Sequence, residues 1–199
     1  MRILGVDPGL RTTGYGVIDV GAGGRCVLVE GGVLRPQPAL SLERRLTQLH
    51  AAMYEVVCST QPDCMVVEEL WSAPKHPPTA VLMGHARGVI ALAAGRAAVA
   101  FEELSHVTVK RALTGNGAAR KAQVKAMVCT HLGLTVSPEP DDVSDALALA
   151  LVFALRGGSN TIVARALGES RRKITGSALA VRGPRALGVG GAEPRAERL

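Results

Sequence analysis

GVDPGLRTTGYGVI, residues 5–18, places an acid at the end of an apolar run, and its reading sets the rest of the chain in order. Ile3–Val6 has the composition of a buried strand, and Asp7-Pro8-Gly9 is a turn signal that ends it. Gly14–Val20 and Cys26–Leu34 also have strand character, with Gly21-Ala22-Gly23-Gly24 as the turn between them. Three sequential strands with short connections predict an antiparallel meander. Beyond it, Leu42, Leu46, Leu49, Met53 and Val56 recur at helical spacing, with Ser41 placed to cap the helix. Cys64–Val67 reads as a second buried strand, ending in Glu68-Glu69. A Pro-rich loop, Ser72–Pro78, leads to a long Ala-rich helix from about Thr79 to Ala94, and Ala97–Phe101 reads as a strand. Helices are predicted near Ser105–Leu113 and Ala118–Leu132, separated by Thr114-Gly115-Asn116-Gly117, and from Asp141 to Leu155. A meander followed by alternating helices and strands makes an α/β protein with a mixed sheet and helices on its faces.

The 199 residues are 47% hydrophobic and 20% charged, a balance that suits one globular domain and excludes an intrinsically disordered chain. No apolar run is long enough to span a bilayer. MRILGVDPG lacks the regions of a signal peptide, so a cytoplasmic location is expected. Cys26, Cys58, Cys64 and Cys129 show no paired metal-ligand spacing and read as reduced, mostly small core residues. The net charge of +6 is unevenly spread. Residues 158–199 are rich in Gly, Ala and Arg, carry most of that excess and show no apolar period, so they are expected to form a flexible basic tail to a domain spanning 1–157. Within the nearly neutral domain, residues 104–138 carry Lys110, Arg111, Arg120, Lys121 and Lys125 and no acid. Such a basic stretch fits either a polyanionic partner or a solvated helix face.

Four carboxylates invite a chemical reading. Asp7 and Glu68 end apolar strands, and Asp142 and Asp145 lie in the first turns of an Ala/Leu-rich helix. Each alone has a structural explanation, as a turn residue or as an acid favoured by the helix dipole. As a set they do not. Residues 142, 145, 146, 149 and 153 share one helical stripe, and Ala146, Leu149 and Phe153 on it are apolar and must pack inward. Both Asp142 and Asp145 are thereby aimed at the sheet, while Asp141 is rotated away by roughly 100°. Carboxylates directed at a buried surface are unfavourable unless neutralised. If Asp7 and Glu68 end adjacent strands, four anions converge, and Mg²⁺ or Mn²⁺ would resolve the repulsion because hard cations take oxygen ligands.

The segments GVDPGLRTTGYGVI (5–18), VVEELW (66–71), GHARGVI (84–90), TVKRALTGNGAARKAQV (108–124) and DDVSDALALA (141–150) occur in the order found in RuvC Holliday junction resolvases. Over roughly residues 1–156 the chain resembles that family, and the combination of DPG-x₃-TGYG with the later Glu and D-x-x-D elements is specific where each piece alone is weak. The resemblance implies an RNase H-like fold with Asp7, Glu68, Asp142 and Asp145 as catalytic acids holding two divalent metals. The position of Asp142 is His in some relatives, and Glu69, on the opposite strand face, is a less favoured ligand. Lys110 and Lys121 match lysines similar to DNA-contacting or supporting positions, whereas Arg111, Arg120 and Lys125 are added as DNA contacts from charge clustering. Trp71 matches an aromatic position and is expected either to stack on a base or to be partly buried.

The activity implied is hydrolysis of branched DNA at paired sites to 5′-phosphate and 3′-hydroxyl ends. The partners implied are a four-way junction, a second copy of the chain, and branch-migration proteins of the RuvA and RuvB type. The Ala-rich helix around Ala80–Ala94 is a candidate dimer surface, with packing on the sheet as its alternative. Two other classes are weighed against this one. Asp-x-Gly near a first strand also opens sugar and acetate kinases, but those close two related domains and this chain has no repeat. A silent nucleic-acid binding module would have no reason to bear the desolvation of four acids.

Overall fold

The computed structural model describes residues 1–69 and 77–157, with the side chains of Pro77 and Pro78 excepted. Trp71, most of the Pro-rich loop and the basic 158–199 segment therefore lie outside the described residues. The chain runs β1 (Arg2–Asp7), β2 (Thr13–Val20), β3 (Cys26–Leu34), α1 (Leu42–Thr60), β4 (Cys64–Glu68), α2 (Pro77–Arg96), β5 (Ala100–Leu104), α3 (His106–Thr114), α4 (Lys121–Leu132) and α5 (Asp141–Leu155). The sheet order is β3-β2-β1-β4-β5. β1–β2 and β2–β3 pair antiparallel, and β1–β4 and β4–β5 pair parallel. This is the mixed RNase H-like sheet that the resemblance implies.

Strand parity sorts the core into two halves. Leu4 and Val6 of β1 and Met65 and Val67 of β4 face α1 and α2, where Leu49, Met53, Ala86 and Ile90 are fully buried. Ile3, Cys64 and Val66 face the other way, toward α3, α4 and α5. Asp7 shares the face of Ile3, and Glu68 the face of Val66. The same alternation turns Glu69 toward the α1/α2 side.

α5 lies unusually deep. Every residue from Ala146 to Phe153 is buried, because α3 and α4 cover the side of the helix that faces away from the sheet. The single inward stripe predicted from periodicity is therefore too narrow a description. Val143, Ala146, Leu147 and Ala150 meet the meander, while Ala148 and Leu149 face α3 and α4. Two glycines permit the approach. A Cβ at Gly5 would overlap the Ala146 carbonyl, and one at Gly14 would overlap the Asp142 carbonyl. The Gly residues in GVDPG and TGYG thus let the D-x-x-D helix rest directly on β1, which carries Asp7, and on β2 beside it. Burying each large apolar side chain of α5 contributes roughly 1.5–3 kcal/mol.

Two boundaries and one cap differ from expectation. β5 begins at Ala100 because Ala97–Val99 finish the preceding helix, with Val99 N–H donating to the Ala94 carbonyl and Ala98 at φ +55°. α4 begins at Lys121 because Asn116 Oδ1 holds the Ala118 N–H at 2.9 Å in a turn that keeps residues 116–119 out of the helix. Ser41 occupies the N-cap position of α1, but its hydroxyl donates to the Glu43 carboxylate instead of capping the backbone. Of the cysteines, Cys26 and Cys64 are buried as expected, whereas Cys58 is exposed and Cys129 half-buried. No helix among the described residues is long and apolar enough to cross a membrane.

Candidate active site

The carboxyl ends of β1 and β4 are adjacent, Val6 pairing with Val67, so Asp7 and Glu68 leave the sheet side by side. Thr13 fixes the chain after Asp7. It is fully buried, and its Oγ1 donates to the Gly9 carbonyl at 2.7 Å and accepts from the Gly9 N–H at 3.2 Å. Arg45 of α1 donates to the Leu10 carbonyl at 3.0 Å and holds the same loop from outside.

Asp7, Glu68 and Asp145 line one cavity of about 250 Å³, together with His106, Lys110, Lys121, Val124, Ala148 and Leu149. Asp142 is not part of the lining, but its charge reaches Asp7. Burial first, then the charges of Glu68, Asp145 and Asp142, push the Asp7 carboxyl up from the usual range to about 8. Burial raises Glu68 as well, with His106 as the main opposing influence. The His106 Nδ1 lies 3.9 Å from Glu68 Oε1. Lys121 Nζ sits 2.7 Å from Asp145 and 3.3 Å from Asp141. Burial works against its charge, yet those carboxylates hold the Lys121 ammonium above the ordinary lysine range.

Asp141 follows the helical prediction. It turns from the cavity toward α4, where Lys125 and Lys121 hold its carboxyl below the usual range. Lys125, grouped with the DNA contacts on sequence grounds, is paired with Asp141 and lies 3.6 Å from Glu139. Of the five basic residues, Lys110 and Lys121 reach the cavity. Arg111 lies beside the Gly117 turn, and Arg120 is exposed as the N-cap residue of α4, its N–H donating to Gln123 Oε1 at 2.9 Å.

Sequence reasoning passed over two residues. His106 follows Ser105, whose hydroxyl accepts from the Thr108 N–H at 3.3 Å and so starts α3 beside the end of β5. A His in the first turn of a helix after a strand was the available signal. Arg87, within the GHARGVI segment, carries no local signal of its contacts with β4 and β5.

The donor set fits a hard cation: carboxylate oxygens line one cavity, and burial together with the neighbouring carboxylates keeps Asp7 from ionising in the ordinary range. Among the described residues, no three His, Cys, Asp or Glu side chains already form an ion cage. Cation binding would require the carboxylates to draw together and Lys121 to move off Asp145.

The family model described as Crossover junction endodeoxyribonuclease RuvC matches residues 3–153. The protein of that name from Rhodopirellula baltica is 46% identical over 149 residues, covering 75% of this chain and 83% of the relative. That from Desulforamulus reducens is 44% identical over 154 residues, covering 77% and 93%. The solved structure of Thermus thermophilus RuvC aligns with a TM-score of 0.75 at 34% identity, covering 81% of this chain and 98% of that one. The same protein in complex with Holliday junction substrate aligns with a TM-score of 0.73 at 31% identity, with the same coverage. The chain belongs to the RuvC family of crossover junction endodeoxyribonucleases.

Proposed function

We propose that this chain resolves four-way DNA junctions by hydrolysing phosphodiesters at the Asp7–Glu68–Asp142–Asp145 cluster. The observation that carries the reading is one cavity that gathers carboxylates from β1, β4 and α5 and lysines from α3 and α4. Asp7, Glu68, Asp142 and Asp145 would hold Mg²⁺ or Mn²⁺. Bound there, two such ions would supply Lewis acidity for the attack of water on phosphorus, leaving 5′-phosphate and 3′-hydroxyl ends. The residues of the chain do the remaining work. Lys110 and Lys121 stand beside the carboxylates and can take the charge of a phosphate entering the cavity. Arg111, Arg120 and Lys125 extend a basic surface along α3 and α4, Lys125 contributing once DNA competes for it with Asp141 and Glu139. Trp71 is assigned to base stacking at the branch point.

One domain spanning 1–157 carries the chemistry in this reading, and 158–199 adds nonspecific affinity at most. One carboxylate cluster cuts one strand, and a junction needs two cuts of like polarity, so a two-fold homodimer is the working unit. RuvA- and RuvB-type proteins are its partners, and a cytoplasmic location goes with that role. Membership of a nuclease family sets aside the kinase alternative. The test is cleavage of a four-way junction against a linear duplex of the same sequence, with and without Mg²⁺ or Mn²⁺. Cation-dependent, paired nicks confined to the junction are expected. Junction binding without cleavage at any cation concentration would favour the silent binding module instead.

A further inference from the structure

Glu68 is held from two sides of the sheet. Its carboxylate lies on the α5 face, in the cavity. The β1–β4 pairing ends at Val67, so the Glu68 carbonyl lies past the last pair of that ladder. There it accepts a hydrogen bond from Arg87 Nη1, which comes from α2 on the opposite face. The other prong, Nη2, pairs with Glu103 Oε1 of β5. The guanidinium carbon stands 5.9 Å from the centre of the Phe101 ring, two residues earlier on the same face of β5. The Arg87 side chain is 15% exposed and that of Glu103 49%, so the guanidinium is mostly covered and its counter-ion is exposed.

We propose that Arg87 is a positioning residue for the reaction: it fixes where β4 ends, and through the Glu68 backbone it sets the reach of the Glu68 carboxylate into the cavity. The proposal rests on the reading of Glu68 as an active-site ligand. Arginine suits the task because one planar fork can serve a carbonyl on β4 and a carboxylate on β5 at once. Lysine, with a single ammonium, cannot span both. Fixing the main chain of a ligand sets where its Cα and Cβ lie, and so the origin from which the side chain reaches, and it leaves the carboxylate oxygens available to a cation. An outer partner of this kind is worth about 10- to 100-fold in cation affinity or turnover.

The experiment uses the full chain carrying Arg87→Ala, Arg87→Lys, Glu103→Gln, Glu68→Gln or Arg87→Ala with Glu68→Gln. Mn²⁺ binding without DNA is read from the free-ion electron paramagnetic resonance signal, and kcat and KM from junction cleavage below each variant's melting range. Arg87→Ala is expected to weaken Mn²⁺ binding and lower kcat by about 10-fold or more while KM stays within about two-fold. Arg87→Lys should recover only part of the loss. Glu103→Gln, an exposed change that keeps its shape, should move both quantities in the same direction by less, and it carries the test if Arg87→Ala does not fold. In the Glu68→Gln background, Arg87→Ala should cost little further Mn²⁺ affinity, because the two act through one carboxylate. Wild-type kcat and Mn²⁺ affinity in folded Arg87→Ala or Glu103→Gln, with only the melting temperature lowered, would reduce Arg87 to a packing residue and overturn the proposal. Full recovery by Arg87→Lys would overturn the two-pronged clamp. Unchanged Mn²⁺ binding and cleavage in Glu68→Gln would instead remove the ligand reading beneath it.

Discussion

Replacing Asp7 by Asn should stabilise the cation-free protein at neutral and alkaline pH while abolishing cleavage. Burial and three neighbouring carboxylates raise the Asp7 carboxyl from 3.8 to about 8. Between those values the native protein holds a proton that the unfolded chain has released. Native proton binding then exceeds that of the unfolded state, so stability falls as pH rises through this window, with a slope of up to about 1.4 kcal/mol per pH unit from this group. A shift of about four units sets an upper limit of about 6 kcal/mol on the penalty above pH 8. Asn has nearly the same shape and no charge to lose, so Asp7→Asn should remove this part of the slope. Denaturant titrations of both proteins in chelator, from pH 4 to 9, measure the difference directly. Their stabilities should be similar near pH 4 and diverge upward for Asp7→Asn. Adding Mg²⁺ at pH 8 to 9 should raise the stability of the wild type, because the cation binds the ionised native cluster, and should do less for Asp7→Asn. Parallel stability curves for the two proteins across that range would refute the argument that Asp7 is buried beside neighbouring carboxylates.

Asp142→Asn should reduce cleavage by orders of magnitude, whereas Asp141→Asn should leave turnover largely intact, and equal losses measured on the same junction would contradict the helical-face argument. Lys121→Met removes the ammonium that sits 2.7 Å from Asp145, so Mg²⁺ binding without DNA, followed by calorimetry, should strengthen while junction cleavage falls. Unaltered or weaker Mg²⁺ binding would show that Lys121 does not compete for that site. Gly5→Ala must push α5 off β1 because its Cβ overlaps the Ala146 carbonyl. It should lower stability by about 1–3 kcal/mol and slow cleavage as well, and wild-type values for both would mean that the close approach does not position the D-x-x-D helix. Trp71→Ala should slow junction cleavage about 5- to 150-fold if the ring stacks on a base, with Trp71→Phe retaining most activity. An unchanged cleavage rate with a lowered melting temperature would favour packing.

How much of this was legible follows from where each signal lives. The three meander strands carry local signals, apolar runs bounded by Gly and Pro, and β3 and α5 begin and end where the sequence reading put them. Asp141 and Asp142 could be told apart before any coordinates because a helix rotates neighbouring residues by a fixed angle. In the structure Asp141 is turned to Lys125 on α4, while Asp142 stands outside the cavity lining and reaches Asp7 through its charge. What local pattern does not carry is who covers whom. α5 looked amphipathic along one stripe, yet α3 and α4 bury its other side, and nothing within residues 141–155 announces that contact. Ala97–Phe101 is apolar and β-branched enough for a strand, but the helix before it needed its closing hydrogen bonds, and backbone satisfaction took precedence over side-chain propensity. Charge clustering along residues 104–138 grouped Lys110, Arg111, Arg120, Lys121 and Lys125, although only Lys110 and Lys121 face the cavity. Sequence proximity counts charges, while their opposing acids come from elsewhere: Asp141 and Glu139 meet Lys125 only once α4 and α5 have docked. Arg87 shows the same limit most sharply. Its two partners, the Glu68 carbonyl and Glu103, lie on neighbouring strands, and one of them is main chain, which no pattern of side chains can display.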